Sequence, residues 1–292
     1  MSLSLAIVTA TSNVERAMPC LLSWIAMAQD PPPIFLIHNG GERITGVTVE
    51  GTQVAWVSMP DYLGSVRAFE RGVAAALSGP FDIIACLHDD YEILEPGWDQ
   101  LVRRCFAQQP NLGLAGFGGA IGLGAHDMYQ RPYDPMSLAR VGFRSNLVDA
   151  EVHGVRSLLR EQVACLDGFS QVGRRDFWKG VWSPAKIAAE RASHHTTQAE
   201  RAVARPVWEY LAELGIVHHL YDSLLGAIAA RHGWETWYLP LRSQHHGGRT
   251  AVGDPGYQDW AKQQTDKGDQ GFWEKAHAVG YEAFRDVLPL RV

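Results

Sequence analysis

The chain has 292 residues, 46% of them hydrophobic and 20% charged, and a formal net charge of −6. That length is enough to bury a full α/β core, and the acidic balance gives no general basic field for nucleic acid or an anionic membrane. No stretch is long and apolar enough to span a bilayer, and the first residues, Met1-Ser2-Leu3-Ser4-Leu5, lack the positive start of a signal peptide.

In chain order, Leu3–Ala10 reads as a strand and Val14–Ala28 as a helix with Met18, Leu21, Leu22 and Ile25 on one face. Ile34–His38 is a second strand, ending in Asn39-Gly40-Gly41, and Val54–Met59 a third. A helix over Ser65–Leu77 turns Val66, Phe69, Val73 and Leu77 inward. Phe81–Leu87 is a fourth strand running straight into His88-Asp89-Asp90. Then come Pro96, placed in a first helical turn, a helix with Trp98, Leu101, Val102, Cys105 and Phe106 on one stripe, and a strand over Leu112–Phe117.

This alternation predicts an α/β fold with a mostly parallel sheet covered on both faces. Ligands of such sheets sit at the carboxyl ends of the strands, so Thr9, Asn39, Asp61 and the 88–90 triplet should converge on one crevice. The second half is less regular: Val163–Arg174 is a strand interrupted at Asp167-Gly168, 184–205 is helical, and Asp222–His232 is a short helix closed by Gly233. Trp237–Leu241 is a strand leading to His245-His246-Gly247-Gly248.

Two carboxylates and an imidazole released by a buried strand can hold a divalent metal. The four cysteines (Cys20, Cys86, Cys105, Cys165) contain no Cys-x-x-Cys pair and lie in apolar segments, which speaks against disulfides or structural zinc and for a reducing cytoplasm. The run Gly116–Gly122 lacks the following helix and distant acid of a dinucleotide loop, and is expected to be a flexible loop.

The order strand, acidic triplet, Pro96-Gly97-Trp98, helix resembles the metal-binding segment of GT-A glycosyltransferases, especially inverting family 2, and the resemblance spans roughly residues 3–250. It implies a GT-A, Rossmann-like mixed sheet. Residues 1–122 would form a nucleotide-sugar half and 123–250 an acceptor half, with 251–292 a helical extension. Thr9, Asn39, Asp61, Arg67, Asp89 and Asp90 would contact the nucleotide sugar. Asp90 would bind Mn²⁺ or Mg²⁺ directly, with Asp89 on the ribose or the metal, His88 a second ligand or a hydrogen-bond partner, and His245 or His246 completing the set, the spacing slightly favouring His245. Asp167, Gly168 and Tyr221 would line the sugar pocket.

Asp222 matches the family's catalytic base, which takes the proton of an attacking acceptor hydroxyl, and it also reads as a helix N-cap. The implied donor is a nucleoside-diphosphate sugar, a UDP-sugar first, and the acceptor a glycan or other hydroxyl compound. A homodimer is compatible with this. His38, Glu70, His88 and Tyr221 depart from the family pattern. Two rivals stand: a zinc hydrolase using His88, Asp90, His218 or His219, and His245, and a non-catalytic nucleotide-sugar-binding module.

Overall fold

The structure, a computed structural model, describes residues 3–41, 48–123, 140–148, 154–180, 206–213, 216–218, 220–247, 257–259 and 290–291. The helix expected over 184–205 and most of the tail from 251 lie outside them.

Strand β1 (Leu5–Thr11) is apolar along both faces and buried at every position but Ala10, as a central strand covered on two sides must be. It pairs in parallel with β2 (Ile34–Asn39) and β5 (Ile83–Leu87), and β2 pairs in parallel with β4 (Thr52–Met59). Beyond β5 the direction reverses. β13 (Ser170–Arg174) runs antiparallel between β5 and β7 (Leu112–Gly116), and β14 (Glu235–Tyr238) returns parallel to β7. With β11 (Glu161–Gln162) and β3 (Thr48–Val49) at the edges, the nine-stranded order is β11-β14-β7-β13-β5-β1-β2-β4-β3. This is a mixed central sheet flanked by helices, as expected.

Side chains alternate across the strands and feed two cores. Ile7, Ile83 and Ala85 face α1 (Val14–Ala26) and α3 (Trp98–Gln108), where Trp24, Trp98 and Phe106 are buried. Val8, Ile84 and Cys86 face α2 (Gly64–Leu77), α4 (Arg175–Trp178), α5 (Val207–Glu213) and α6 (Tyr221–Arg231), whose large members are Phe69, Trp178, Trp208 and Leu225. Pro96 lies before α3 rather than in its first turn, because Gly97 (φ 77°) is the N-cap.

Val163–Arg174 divides at Asp167-Gly168 into β12 (Cys165–Leu166) and β13. The glycine run 116–122 is ordered strand, not a flexible loop: β8 (Gly118–Leu123) pairs with β12, β9 (Arg140–Ser145) and the terminal β16 (Leu290–Arg291), while β10 (Val155–Arg156) extends β9. Its glycines serve close crossing. A Cβ on Gly116 would lie 2.5 Å from the Ser170 carbonyl oxygen, and one on Gly118 2.5 Å from the Phe169 ring. Among the described residues no helix is long and apolar enough to cross a membrane.

Candidate metal and carboxylate site

The triplet is built as a tight turn off β5. His88 N–H donates to the Phe169 carbonyl at 3.0 Å, Tyr91 N–H donates back to the His88 carbonyl at 3.2 Å, and the chain leaves as β6 (Tyr91–Ile93). The late strand β15 (Ser243–His245) then pairs with β6, setting His245 opposite Tyr91, and His246 N–H donates to the Asp90 carbonyl at 2.9 Å. This small ribbon carries a residue 155 positions downstream of Asp90 onto the end of the central strand.

Asp90 Oδ1 lies 3.3 Å from His245 Nε2 and 3.9 Å from His88 Nδ1. One ligand atom from each of His88, Asp90 and His245 falls within a 4.8 Å span, so the three can hold a metal ion. The donor chemistry fits. Asp90 is 3% exposed, and its Oδ1 is buried without a hydrogen bond of good geometry, a state that normally costs free energy unless a cation compensates. Burial opposes ionisation of Asp90, but His245, His88 and Arg16 outweigh it and hold the carboxyl at about 2. Burial pushes the His88 imidazole below its ordinary value, against the pull of Asp90, which favours the neutral form that binds metal.

The neighbouring groups differ in engagement. Asp89 turns away from the triad: Arg16 Nη2 donates to its Oδ2 at 3.0 Å and Thr11 Oγ1 at 2.6 Å. Burial raises its carboxyl, with Arg16 and Thr11 opposing. His246 meets Glu92 Oε1 at 2.7 Å and stands outside the triad, whereas the favoured His245 is in it. His218 stacks on Tyr62 and meets Ser65 Oγ at 3.2 Å, apart from the triad, and His219 lies outside the described residues.

Helix α6 opens beside the triplet. Its N-cap is Leu220, held at φ 67°, and not Asp222, which lies in the first turn because the helix begins at Tyr221. A residue other than glycine in the left-handed region is strained, and the turn it makes aims the start of the helix. The aim delivers Tyr221, whose hydroxyl meets His88 Nε2 at 2.6 Å and donates to the Gly168 carbonyl at 3.1 Å. Burial, then Asp222 and Asp167, push the phenol well above its ordinary value, so it keeps its proton.

Asp222 and Asp167 share Arg140, whose Nη1 donates to one at 3.0 Å and to the other at 2.9 Å. Burial works against ionisation of Asp167, but Arg140, with His245 and His88, carries its carboxyl below the ordinary value. The field of Asp222, and after it Asp167, strengthens the Arg140 charge in turn.

Of the residues expected to touch the nucleotide, Thr9 is fully buried within β1, and Asn39 at the end of β2 accepts from Leu63 N–H and donates to the Gly64 carbonyl, bracing the entry to α2. Asp61 is exposed before α2, and Arg67 pairs with Glu70 on the helix surface at 2.7 Å. Sequence reasoning missed Thr11, Arg16, Glu92 and Arg140. Thr11 carried a signal, being two positions beyond Thr9 and therefore on its face of the strand. Arg140 carried none, since no motif in its part of the sequence singles it out.

The sequence matches no known protein-family profile and no curated protein. Among solved structures, the "Crystal structure of GalNAc-T7 with UDP, GalNAc and Mn2+" superposes on 98% of this chain with a TM-score of 0.54 and 11% identity. The chain spans 56% of that protein's length. A197 from STIV superposes with a TM-score of 0.38 and 10% identity over 83% of this chain and 85% of its own, a likeness too loose to carry an argument. The fold is GT-A-like.

Proposed function

We propose that this chain is a metal-dependent glycosyltransferase that moves a sugar from a nucleoside-diphosphate sugar, a UDP-sugar first, to a hydroxyl of a glycan or other acceptor. The observation that carries this is the His88, Asp90, His245 triad at the carboxyl end of a central strand in a GT-A-like fold. The similar GalNAc-T7 structure contains UDP, GalNAc and Mn²⁺, which supports a donor and a divalent ion of that kind. Membership of family 2 rests on the motif order alone, as does the division into a nucleotide-sugar half and an acceptor half at residue 122.

When bound, a divalent cation supplies positive charge that offsets a departing diphosphate. His88, Asp90 and His245 would hold it. Asp222, one residue beyond the Tyr221 that touches His88, takes the proton of the acceptor hydroxyl, and inversion at the anomeric carbon is the outcome if it does so from the face opposite the diphosphate. Asp222 is paired with Arg140, which also holds Asp167. Asp167 and Gly168 then border the sugar.

The test is transfer from a panel of nucleoside-diphosphate sugars with Mn²⁺, the product's anomeric configuration being read by proton NMR. An inverted product with Asp222→Asn inactive supports the whole assignment, while a retained configuration removes Asp222 as base. Zinc retained through purification, with hydrolysis and no transfer, favours a hydrolase. The two-imidazole, one-carboxylate donor set also serves that chemistry.

A further inference from the structure

Tyr221 has one hydroxyl proton and two close partners. Its Oη lies 3.1 Å from the Gly168 carbonyl oxygen, which can only accept, and 2.6 Å from His88 Nε2. Both contacts are hydrogen bonds at once only when the phenol donates to the carbonyl and Nε2–H donates to a lone pair on Oη. That leaves Nδ1 as the unprotonated nitrogen of a neutral ring, and Nδ1 is the atom facing Asp90 Oδ1 at 3.9 Å. Two acceptors then face one another, a buried carboxylate oxygen and the nitrogen of a part-buried imidazole, an arrangement that a cation between them relieves.

We propose that Tyr221 is a positioning residue of this centre: its hydroxyl, pinned by the Gly168 carbonyl, fixes His88 as the Nε2–H tautomer and aims Nδ1 at the ion. The inference rests on the triad being a metal centre. Metal-ligating histidines commonly give their second N–H to a fixed acceptor, which sets both tautomer and ring angle; here a phenol takes that place. Three further features serve it. Leu220 adopts its costly φ of 67° immediately before Tyr221. Phe69 stacks on the His88 ring, 6.2 Å between centroids and 15° from parallel, and also packs against Tyr221. Gly168 has no room for a side chain, since a Cβ there would lie 2.7 Å from Tyr221 Oη. The same helical turn carries Asp222, so an ion that fixes His88 also steadies the turn presenting the second carboxylate.

Histidine labelled with ¹⁵N, read by long-range nitrogen–proton correlation in metal-free protein, reports the tautomer, and Mn²⁺ titration reports affinity. Wild-type protein should show His88 as Nε2–H. Tyr221→Phe should lose that preference and bind Mn²⁺ about 10–100-fold more weakly, while unfolding as cooperatively as before. Gly168→Ala, which keeps the phenol but displaces it, should move both readouts the same way. Nδ1–H in the wild type, an unchanged tautomer in Tyr221→Phe, or unchanged Mn²⁺ affinity overturns the proposal. A wild type that shows Nε2–H but binds no divalent cation overturns the metal centre, and the positioning role with it. Mn²⁺ binding without glycosyl transfer strikes only the proposed reaction.

Discussion

Arg140 Nη1 stands 3.0 Å from Asp222 Oδ2, and that nitrogen is also the one that holds Asp167. One guanidinium therefore keeps two carboxylates together that would otherwise repel. Asp167 has its folded value lowered, so it contributes stability above the ordinary carboxylate range and loses it as pH falls through the lowered value. With Arg140→Met the largest lowering influence goes and burial remains, which raises the carboxyl instead. The acid-unfolding midpoint, followed by circular dichroism, should move to higher pH. An unmoved midpoint would show that Arg140 does not set the Asp167 charge.

Two imidazoles and one carboxylate are a nitrogen-rich set for a hard cation. Mg²⁺ prefers oxygen ligands and near-ideal octahedral geometry, whereas Mn²⁺ accepts imidazole more readily. Isothermal titration of chelator-treated protein should find Mn²⁺ bound at least about tenfold more tightly than Mg²⁺. Asp90→Asn, nearly isosteric, should remove Mn²⁺ binding without loss of fold. Equal affinities would mean that the imidazoles do not coordinate.

The central strands were legible in the sequence because burial on both faces leaves continuous apolar runs, as at Ile83–Leu87. The triplet was legible for a related reason: polar residues ending such a run have to leave the core at a strand end. The contacts within the triplet were legible only through the family resemblance, which picked Asp90 and favoured His245, and not from local pattern. Asp89 and Asp90 are neighbours in sequence, yet a one-residue step sends one to Arg16 and the other to His245. His245 and His246 separate likewise, by the register of β15 on β6. Such partners come from residues 73 and 155 positions away, and no local pattern encodes them. The 116–122 glycines misled because close backbone crossing and loop flexibility call for the same residue type.

Arg16 and Asp89 form a nearly buried ion pair, with side chains 14% and 6% exposed. Removing one partner strands a charge, at a cost of roughly 3 kcal/mol. Arg16→Met should lower the urea-unfolding free energy by about that amount, and adding Asp89→Asn should recover part of it, since a neutral amide needs no counter-charge. Strictly additive losses in the double variant would show that the two side chains are not coupled.

His246 was a ligand candidate, and the structure gives it another attachment. Its Nε2 meets Glu92 Oε1 at 2.7 Å, and its backbone N–H holds the Asp90 carbonyl at 2.9 Å. Both contacts fasten β15 to β6, the pairing that holds His245 over Asp90. Loosening a fastener should weaken coordination less than deleting a ligand. His246→Ala and Glu92→Gln should each lower Mn²⁺ affinity by up to about tenfold, the smaller end of effects from groups that only orient ligands. His245→Ala should lower it much further. In the double variant His246→Ala/Glu92→Gln the losses should fall short of additivity, because either change alone already opens the same clasp. Equal loss from His246→Ala and His245→Ala would move His246 into the coordination sphere and require β15 to shift on β6 when an ion binds.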